Sequence, residues 1–492
     1  MYYEAESYPS PGLPVKDPCL SFWLQNTRSS ALLGYRTTES LPPSADVVII
    51  GSGLSGAATA YYLLAGSNPP KSVLMLEARE ACDGATGRNG GHCRPYVFQG
   101  HHEYKEIFGK EEALKISAFE MANLHLMAEL IEKEQIDCDF WLGKSFETCI
   151  DQEAANKKLR SYQEFKDDGG PLEGVVELTT NVDEAKRLTR MRNAVLTASF
   201  PAASLFPYKL VSHLLQLCIS KHGLNLQTHT PVTAVTSTSA SLSAHDPRLS
   251  TVEEWIVTTP RGKVTANKVV FATNAYTATL LPEFLGNIVP GQGQCAAIVP
   301  TPSFSGTRMM EKTCCYHWGK DNFDYLIQRP KDGVIILGGG KASASHPGAI
   351  LGCTNDSGRP DDGGKQAEIT EYLKGAMGEY FVGWNDSDYS SDSSAHPDQK
   401  RESLRVGEGL LYDWTGIMGY TRDNIPFVGN VEGKPGAYVI AGHCGHGMAR
   451  IASCAKGLAT LMSGGSWLDT GLPGCFQPTK ERMRNKKMET TT

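Results

Sequence analysis

The hydrophobic pattern changes period several times along the chain, and each change marks an element. Val47 to Ile50 is a short apolar run of the kind that forms a strand buried on both faces. Ala57, Ala58 and Ala60 open a run of small and apolar residues that predicts a helix, and "SVLMLEA" (72–78) predicts a second strand. Between 111 and 135 apolar residues recur at helical spacing, predicting a long amphipathic helix on which His125 is a structural or surface residue. Residues 204–223 read as another helix, with Pro207 near its first turn and Gly223 as its stop. Strands follow in "LNLQTHTPVTAVTS" and across 252–277, with a turn at Arg261–Gly262 and a buried run at Val269–Ala272. Residues 325–340 read as a hairpin turning at Asp332–Gly333. A last apolar strand, Tyr438–Ala441, runs into Gly442–Gly447 and a helix of small residues. The stretch 387–400 is poor in apolar residues and predicts a mobile surface loop.

Chemistry enters where the first strand meets the first helix. Gly51, Gly53 and Gly56 fit G-x-G-x-x-G, in which the glycines make a tight turn, admit a pyrophosphate and let helix pack on strand. The helix start offers unpaired N–H groups and a positive dipole end to phosphates. Glu77 ends the second strand, about twenty residues beyond Gly56, where an acid reaches a ribose hydroxyl. Strand, turn, helix, strand and acid in this order predict a dinucleotide site.

Size and charge narrow the class. A chain of 492 residues exceeds one ordinary core and implies two or three domains. A net charge of −7 gives no basic footprint, so no nucleic-acid partner is expected. No apolar run approaches the roughly 18 residues that span a bilayer, so no membrane partner is expected. The start "MYYEAESYPS" is unlike a signal peptide, and "METTT" carries no peroxisomal or retention address. The 13 cysteines form no regular framework and read as reduced thiols. A cytoplasmic protein is the expectation.

Flavin and nicotinamide cofactors both present ADP to such a unit, and two further glycine-rich blocks separate them. Residues 77–95 carry glycines at 84, 87, 90 and 91 with Thr86 and Asn89, a loop suited to following a long cofactor beyond its pyrophosphate. Gly442–Gly447 open the last helix, whose N–H groups could stabilise a negative reduced ring. The blocks "ADVVIIGSGLSGAATAYYLL", "GATGRNGG", "KVVFATNAYT", "GVIILGGG", "GYTRDNIPFVG" and "GHGM" together resemble the D-amino-acid-oxidase-like (DAO) superfamily of FAD-dependent oxidoreductases. Within it, the likeness is to the branch that includes gamma-glutamylputrescine oxidase. The resemblance implies an α/β (α+β) fold: a Rossmann-like FAD-binding domain of the glutathione-reductase-related type, interleaved with an antiparallel β-sheet substrate domain. Residues 1–44, rich in Pro, Ser and Tyr, read as an N-terminal arm running across the surface and docked through the aromatics of "DPCLSFWLQNT". On the basis of the resemblance, residues 45–100, 200–290 and 405–475 form the FAD domain, 101–199 and 291–404 the substrate domain, and 476–492 a disordered tail.

Carried over by motif, the resemblance assigns Gly51, Gly53, Ser55 and Gly56 to the pyrophosphate, Glu77 to the adenosine ribose and Arg79 to the adenine neighbourhood. Thr86, Arg88, Asn89, Gly90 and Gly91 line the ribityl and ring region, Val232 meets the adenine through its backbone, and Gly445, His446, Gly447 and Met448 approach the pyrimidine edge. A helix-capping role for His446 is the alternative. Some relatives attach FAD to a cysteine or a histidine at places held here by Met418 and Arg88, so non-covalent FAD is expected, with His92 and Cys93 as nearby exceptions to watch.

The family reaction is oxidation of a C–N bond of an amine or amino acid by hydride transfer to flavin N5. The imine then hydrolyses, and O2 reoxidises the flavin to give hydrogen peroxide. Candidate catalytic or substrate-contacting residues are Arg94, His317, Lys320 and Tyr325, each weighed against an ordinary structural role; Tyr412 and Trp414 could wall an aromatic pocket or belong to the core. The clusters His92, Cys93, His101, His102 and His443, Cys444, His446 lack metal-ligand spacing, so no metal is expected. Two alternatives stand beside the oxidase: a dehydrogenase using another electron acceptor, and a non-catalytic flavin-binding protein of trafficking or assembly.

Overall fold

The computed structural model describes residues 9–25, 27, 29–238, 254–319, 321–343, 360–385, 404 and 406–484. The opening apolar run becomes strand β1 (Ser44–Ile50), followed by helix α1 (Leu54–Leu64) and strand β2 (Val73–Leu76). β1 pairs in parallel with β2 on one side and with Gly262–Phe271 on the other, so that Val48 stands between Leu74 and Val269. Asn225–Gln227 extends the sheet beyond β2, and Ala437–Ala441 extends it beyond Gly262–Phe271, both in parallel. Antiparallel Phe427–Asn430 closes one edge. The continuous apolar character of β1 now has its reason. Val47 and Ile49 enter one core with α1 and the helix Pro207–His222, while Val48 and Ile50 enter another with Trp255, Val264 and Phe271.

A second sheet of nine strands lies beside the first. Its order runs Gly409–Thr421, Ile288–Val299, Ile335–Gly339, Asn322–Gln328, Thr313–Trp318, Trp141–Cys149, Leu196–Ser204 and His92–Cys93, with Glu177–Thr179 as the ninth strand, also paired to Leu196–Ser204. All these neighbours are antiparallel except Thr313–Trp318 on Trp141–Cys149. The helix foreseen over 111–135 spans Lys110–Lys133, and the hairpin foreseen at Asp332–Gly333 is formed, with Gly333 at φ +74°.

Four expectations change. Gly409–Thr421 falls within the segment assigned to the FAD domain, yet it pairs with Ile288–Val299 and so belongs to the second sheet. His92–Cys93 and Ser204 cross over in the same way. The N-terminal arm is not a surface strap. Phe22, Trp23 and Leu24 are buried, Trp23 stacks edge-on to Phe206 at 4.8 Å, and Tyr412 donates to Leu20 O at 2.8 Å. An aromatic cluster of this size gains more by leaving water than the chain loses by ordering. Finally, the described part of the tail is packed: Phe476 is buried, and Arg482 forms a bidentate pair with Asp423 at 2.7 and 2.9 Å. The loop predicted at 387–400 lies outside the described residues.

Candidate active site

One cavity runs along the C-terminal ends of the parallel strands and under the second sheet. Its walls come from Gly51, Gly53 to Ser55, Glu77–Arg79, Gly84 to Thr86, Arg88, Asn89, Val232, Ala272–Tyr276, Gly416–Met418, Gly445, Gly447 and Met448, among others. The glycine-bearing blocks that lie far apart in sequence therefore face one space. The parallel pairing of β1 with β2 and with Gly262–Phe271 brings their loops to the same sheet edge.

At one end stands Glu77. Its Oε2 accepts from the N–H and hydroxyl of Ser52 at 2.9 and 2.7 Å, and its Oε1 accepts from Arg79 N at 2.9 Å, so the carboxylate is fixed before any ligand arrives. Val232 shares this end of the cavity. In the middle, Thr86 Oγ1 accepts from Leu54 N at the start of α1 at 3.0 Å. Here His443 also enters, with Nε2 3.2 Å from Ser55 Oγ. The far end is walled by Gly293, Cys295 and Tyr325 of the second sheet and by Met418, Gly445 and Met448. Tyr325 Oη and Cys295 Sγ lie 3.4 Å apart, and burial pushes the Cys295 thiol up to about 11. A Cβ on either Gly90 or Gly338 would overlap the Tyr325 ring, so these two glycines fix where the phenol sits.

Twelve of the sixteen residues proposed from sequence for the cofactor line the cavity; Gly56, Gly90, Gly91 and His446 do not. Gly56 works by packing, because a Cβ there would strike the Gly51 carbonyl. Arg79 and Arg88 reach the cavity with their donors already engaged. Arg79 grips Asp362 bidentately at 2.8 and 2.9 Å and Asp83 at 3.0 Å; Arg88 pairs with Asp83 at 2.8 Å. Buried guanidinium groups need such anions, which turns both residues into braces of the loop. His446 points away from the cavity. It stacks on Tyr96 with centroids 3.9 Å apart and bonds Glu120 at 3.0 Å. Burial raises the Glu120 carboxyl, but His446 and Arg450 beside it outweigh that and hold it at about 2. Burial in turn pushes His446 down, against the pull of Glu120, while Arg450 meets the other carboxylate oxygen at 2.7 Å.

Of the three catalytic candidates among the described residues, only Tyr325 lines the cavity. Arg94 and His317 both turn to the buried carboxylate of Glu147, which Lys158 also meets at 2.6 Å. Lys320 lies outside the described residues. Glu147, Cys315 and His317 place ligand-type atoms within 4.8 Å of one another, but Arg94 and Lys158 already neutralise the carboxylate that a cation would need. Trp414 is core, donating to Arg88 O at 2.7 Å, and Tyr412 holds the arm. Cys93 and His92 lie off the cavity, the thiol on Met448 O and the imidazole on Thr313 Oγ1.

The sequence reading missed three contributions: Gly12–Pro14 of the arm, Tyr276 and His443 as a wall residue. Only the aromatic run within the arm hinted at the first. Tyr276 Oη and His443 Nδ1 are both buried with no hydrogen-bond partner among the described residues, and both residues line the cavity. Buried polar atoms without partners are rare, so two on one wall mark a space shaped for a polar ligand. Flavin adenine dinucleotide, with phosphates for the first turn of α1 and hydroxyls for such atoms, fits these walls.

Comparison with known proteins agrees with this geometry. The family model "FAD dependent oxidoreductase" (DAO) matches residues 46–461. Gamma-glutamylputrescine oxidoreductase of Escherichia coli is 24% identical over 426 residues, covering 85% of this chain and 84% of that protein. The probable oxidoreductase OrdL of Haemophilus influenzae is 29% identical over 130 residues, a stretch spanning 25% of this chain and 30% of that protein. Among solved structures, L-proline dehydrogenase from P. horikoshii superposes with a TM-score of 0.62 at 18% identity, covering 89% of this chain and 98% of that one. Glycine oxidase from Geobacillus kaustophilus gives the same TM-score of 0.62 at 18% identity, covering 89% and 99%. No helix among the described residues is long and apolar enough to cross a membrane. The chain belongs to the DAO family of FAD-dependent oxidoreductases, and FAD is its cofactor.

Proposed function

We propose that the cavity holds one FAD without a covalent bond and that the protein oxidises the C–N bond of an amine or amino acid, with O2 as the electron acceptor. The adenosine end lies at Glu77 and Val232, with the fixed carboxylate accepting from ribose hydroxyls. The pyrophosphate meets Gly51, Gly53 and Ser55 at the start of α1, where Gly56 seats the helix on the turn. Thr86, Arg88 and Asn89 of the second glycine-rich loop, with Gly445, Gly447 and Met448, would flank the ribityl chain and ring. Bound there, the flavin supplies a hydride acceptor at N5, and reoxidation by O2 yields hydrogen peroxide while the imine product hydrolyses.

The chain's own residues prepare the site for that chemistry. Cys295, Met418 and Tyr325 make the ring end apolar and keep water from it, which favours a neutral amine whose lone pair assists departure of the hydride. Burial pushes the Tyr325 phenol well above its ordinary pKa, so it stays protonated and orients an amine or ring atom as a hydrogen-bond donor. Tyr325 is thus the catalytic candidate carried forward. Arg94 and His317 brace the sheet behind it through Glu147.

The observation that carries the reading is the convergence of three glycine-bearing segments on one cavity with two unpartnered polar atoms in its wall. It is tested with a panel of amines and amino acids. Bleaching of the flavin absorbance without oxygen, together with peroxide release in air, is the expected result. Bleaching without peroxide would assign another acceptor, and no bleaching with any member would reduce the protein to a flavin binder.

A further inference from the structure

His443 is the single histidine that lines the cavity among the described residues, and its two ring nitrogens differ. Nε2 lies 3.2 Å from the Ser55 hydroxyl, whereas Nδ1 is buried and unpartnered. The residue is 4% exposed, and its backbone is tethered because Gly442 N and His443 N both donate to Asn274 Oδ1, at 3.0 and 3.3 Å. Nδ1 therefore cannot escape to water by a small swing of the loop. Burial, with the charge of Arg450 adding to it, pushes the imidazole down to about 3, so it is neutral and carries one N–H and one lone pair.

The neighbour decides which nitrogen carries the hydrogen. Ser55 stands in the first turn of α1, where an anion is favoured, and a phosphate oxygen only accepts. The Ser55 hydroxyl then gives its hydrogen to the phosphate and accepts from Nε2–H. That leaves Nδ1 as a bare acceptor, which only a donor can satisfy. His443 meets Ser55 at the start of α1 and stands two residues before Gly445 in the same loop, so it links the phosphate and ring positions of the reading above. The donors of FAD in that interval are the hydroxyls of its ribityl chain.

We propose that His443 Nδ1 accepts a hydrogen bond from a ribityl hydroxyl of FAD, while Nε2–H turns the Ser55 hydroxyl toward the phosphate. His443 thereby becomes a cofactor-selecting residue, sensitive to the hydroxylated chain and indifferent to the adenosine end. The inference rests on the placement of FAD proposed above.

The full-length protein stripped of flavin provides the test, with FAD affinity read by flavin fluorescence and ADP affinity by competition. ADP stops at the phosphates and lacks the hydroxylated chain. His443→Phe is expected to weaken FAD about tenfold more than it weakens ADP, the worth of the one buried hydrogen bond to the chain, with any shared loss reporting the Ser55 hydroxyl that is no longer turned to the phosphate. His443→Asn, too short to reach from Ser55 to the cofactor, gives the same pattern should phenylalanine overfill the space. Unchanged FAD affinity, or equal losses for FAD and ADP, would overturn the proposal. Wild-type protein that takes ADP but refuses FAD would overturn the cofactor placement itself, an outcome distinct from either.

Discussion

A methyl group added at Gly56 would overlap the carbonyl oxygen of Gly51, and both atoms are fixed by the backbone. Gly56→Ala is therefore expected to cost roughly 1–3 kcal/mol of stability and to lower flavin content, measured by denaturant unfolding and by the visible spectrum. Unaltered stability and flavin content would mean that the turn tolerates a side chain. Such glycines are legible in sequence because the constraint is local: six residues, Gly51 to Gly56, contain both clashing groups. His443 and His446 are the opposite case. They sit three residues apart in one loop, and the sequence reading put His446 at the flavin edge. Glu120, from a helix 326 positions away, takes the His446 imidazole out of the cavity, and Asn274 fixes His443 beside it. No local pattern carries that information.

The N-terminal segment is the element whose role departs most from expectation. Gly12–Pro14 wall the cavity, Ser21 donates to Gly87 O, Trp23 donates to Asn89 O, and Thr279 donates to Gly12 O at 2.7 Å. The arm therefore backs the flavin loop Gly84–Asn89 along its length. Trp23→Ala removes a fully buried indole and is expected to destabilise the protein by about 3–5 kcal/mol. The same change should speed flavin release from the holoenzyme, followed by fluorescence after dilution; a release rate equal to wild type would show that the loop stands without the arm. The aromatics of the arm foretold docking, but where it docks depends on Phe206 and on carbonyls of the loop. The long strand Gly409–Thr421 was misassigned for a similar reason. Sequence order places it next to the last flavin block, whereas its partner along nearly its whole length is Ile288–Val299.

Over the whole molecule, buried titrating groups make acid the weak direction. His443 is held neutral at about 3 in the fold but takes a proton near 6.5 once unfolded. Between those values the unfolded state binds more protons, so stability rises with pH and falls on acidification, by up to about 1.4 kcal/mol per pH unit per histidine. Burial lowers His317 in the same direction. Glu120, held at about 2, adds a second loss below its ordinary range near 4.5, again because the unfolded chain takes up the proton first. Urea midpoints at decreasing pH should therefore fall from about pH 6.5 and steepen below about 4.5; a profile flat between these values would contradict the burial of neutral His443.

The most direct measurement is the visible spectrum of the purified full-length protein before and after acid precipitation. The account predicts a yellow protein holding about one flavin per chain, with all colour passing to the supernatant as FAD. A colourless protein that refuses added FAD, or colour that stays in the pellet, would contradict it.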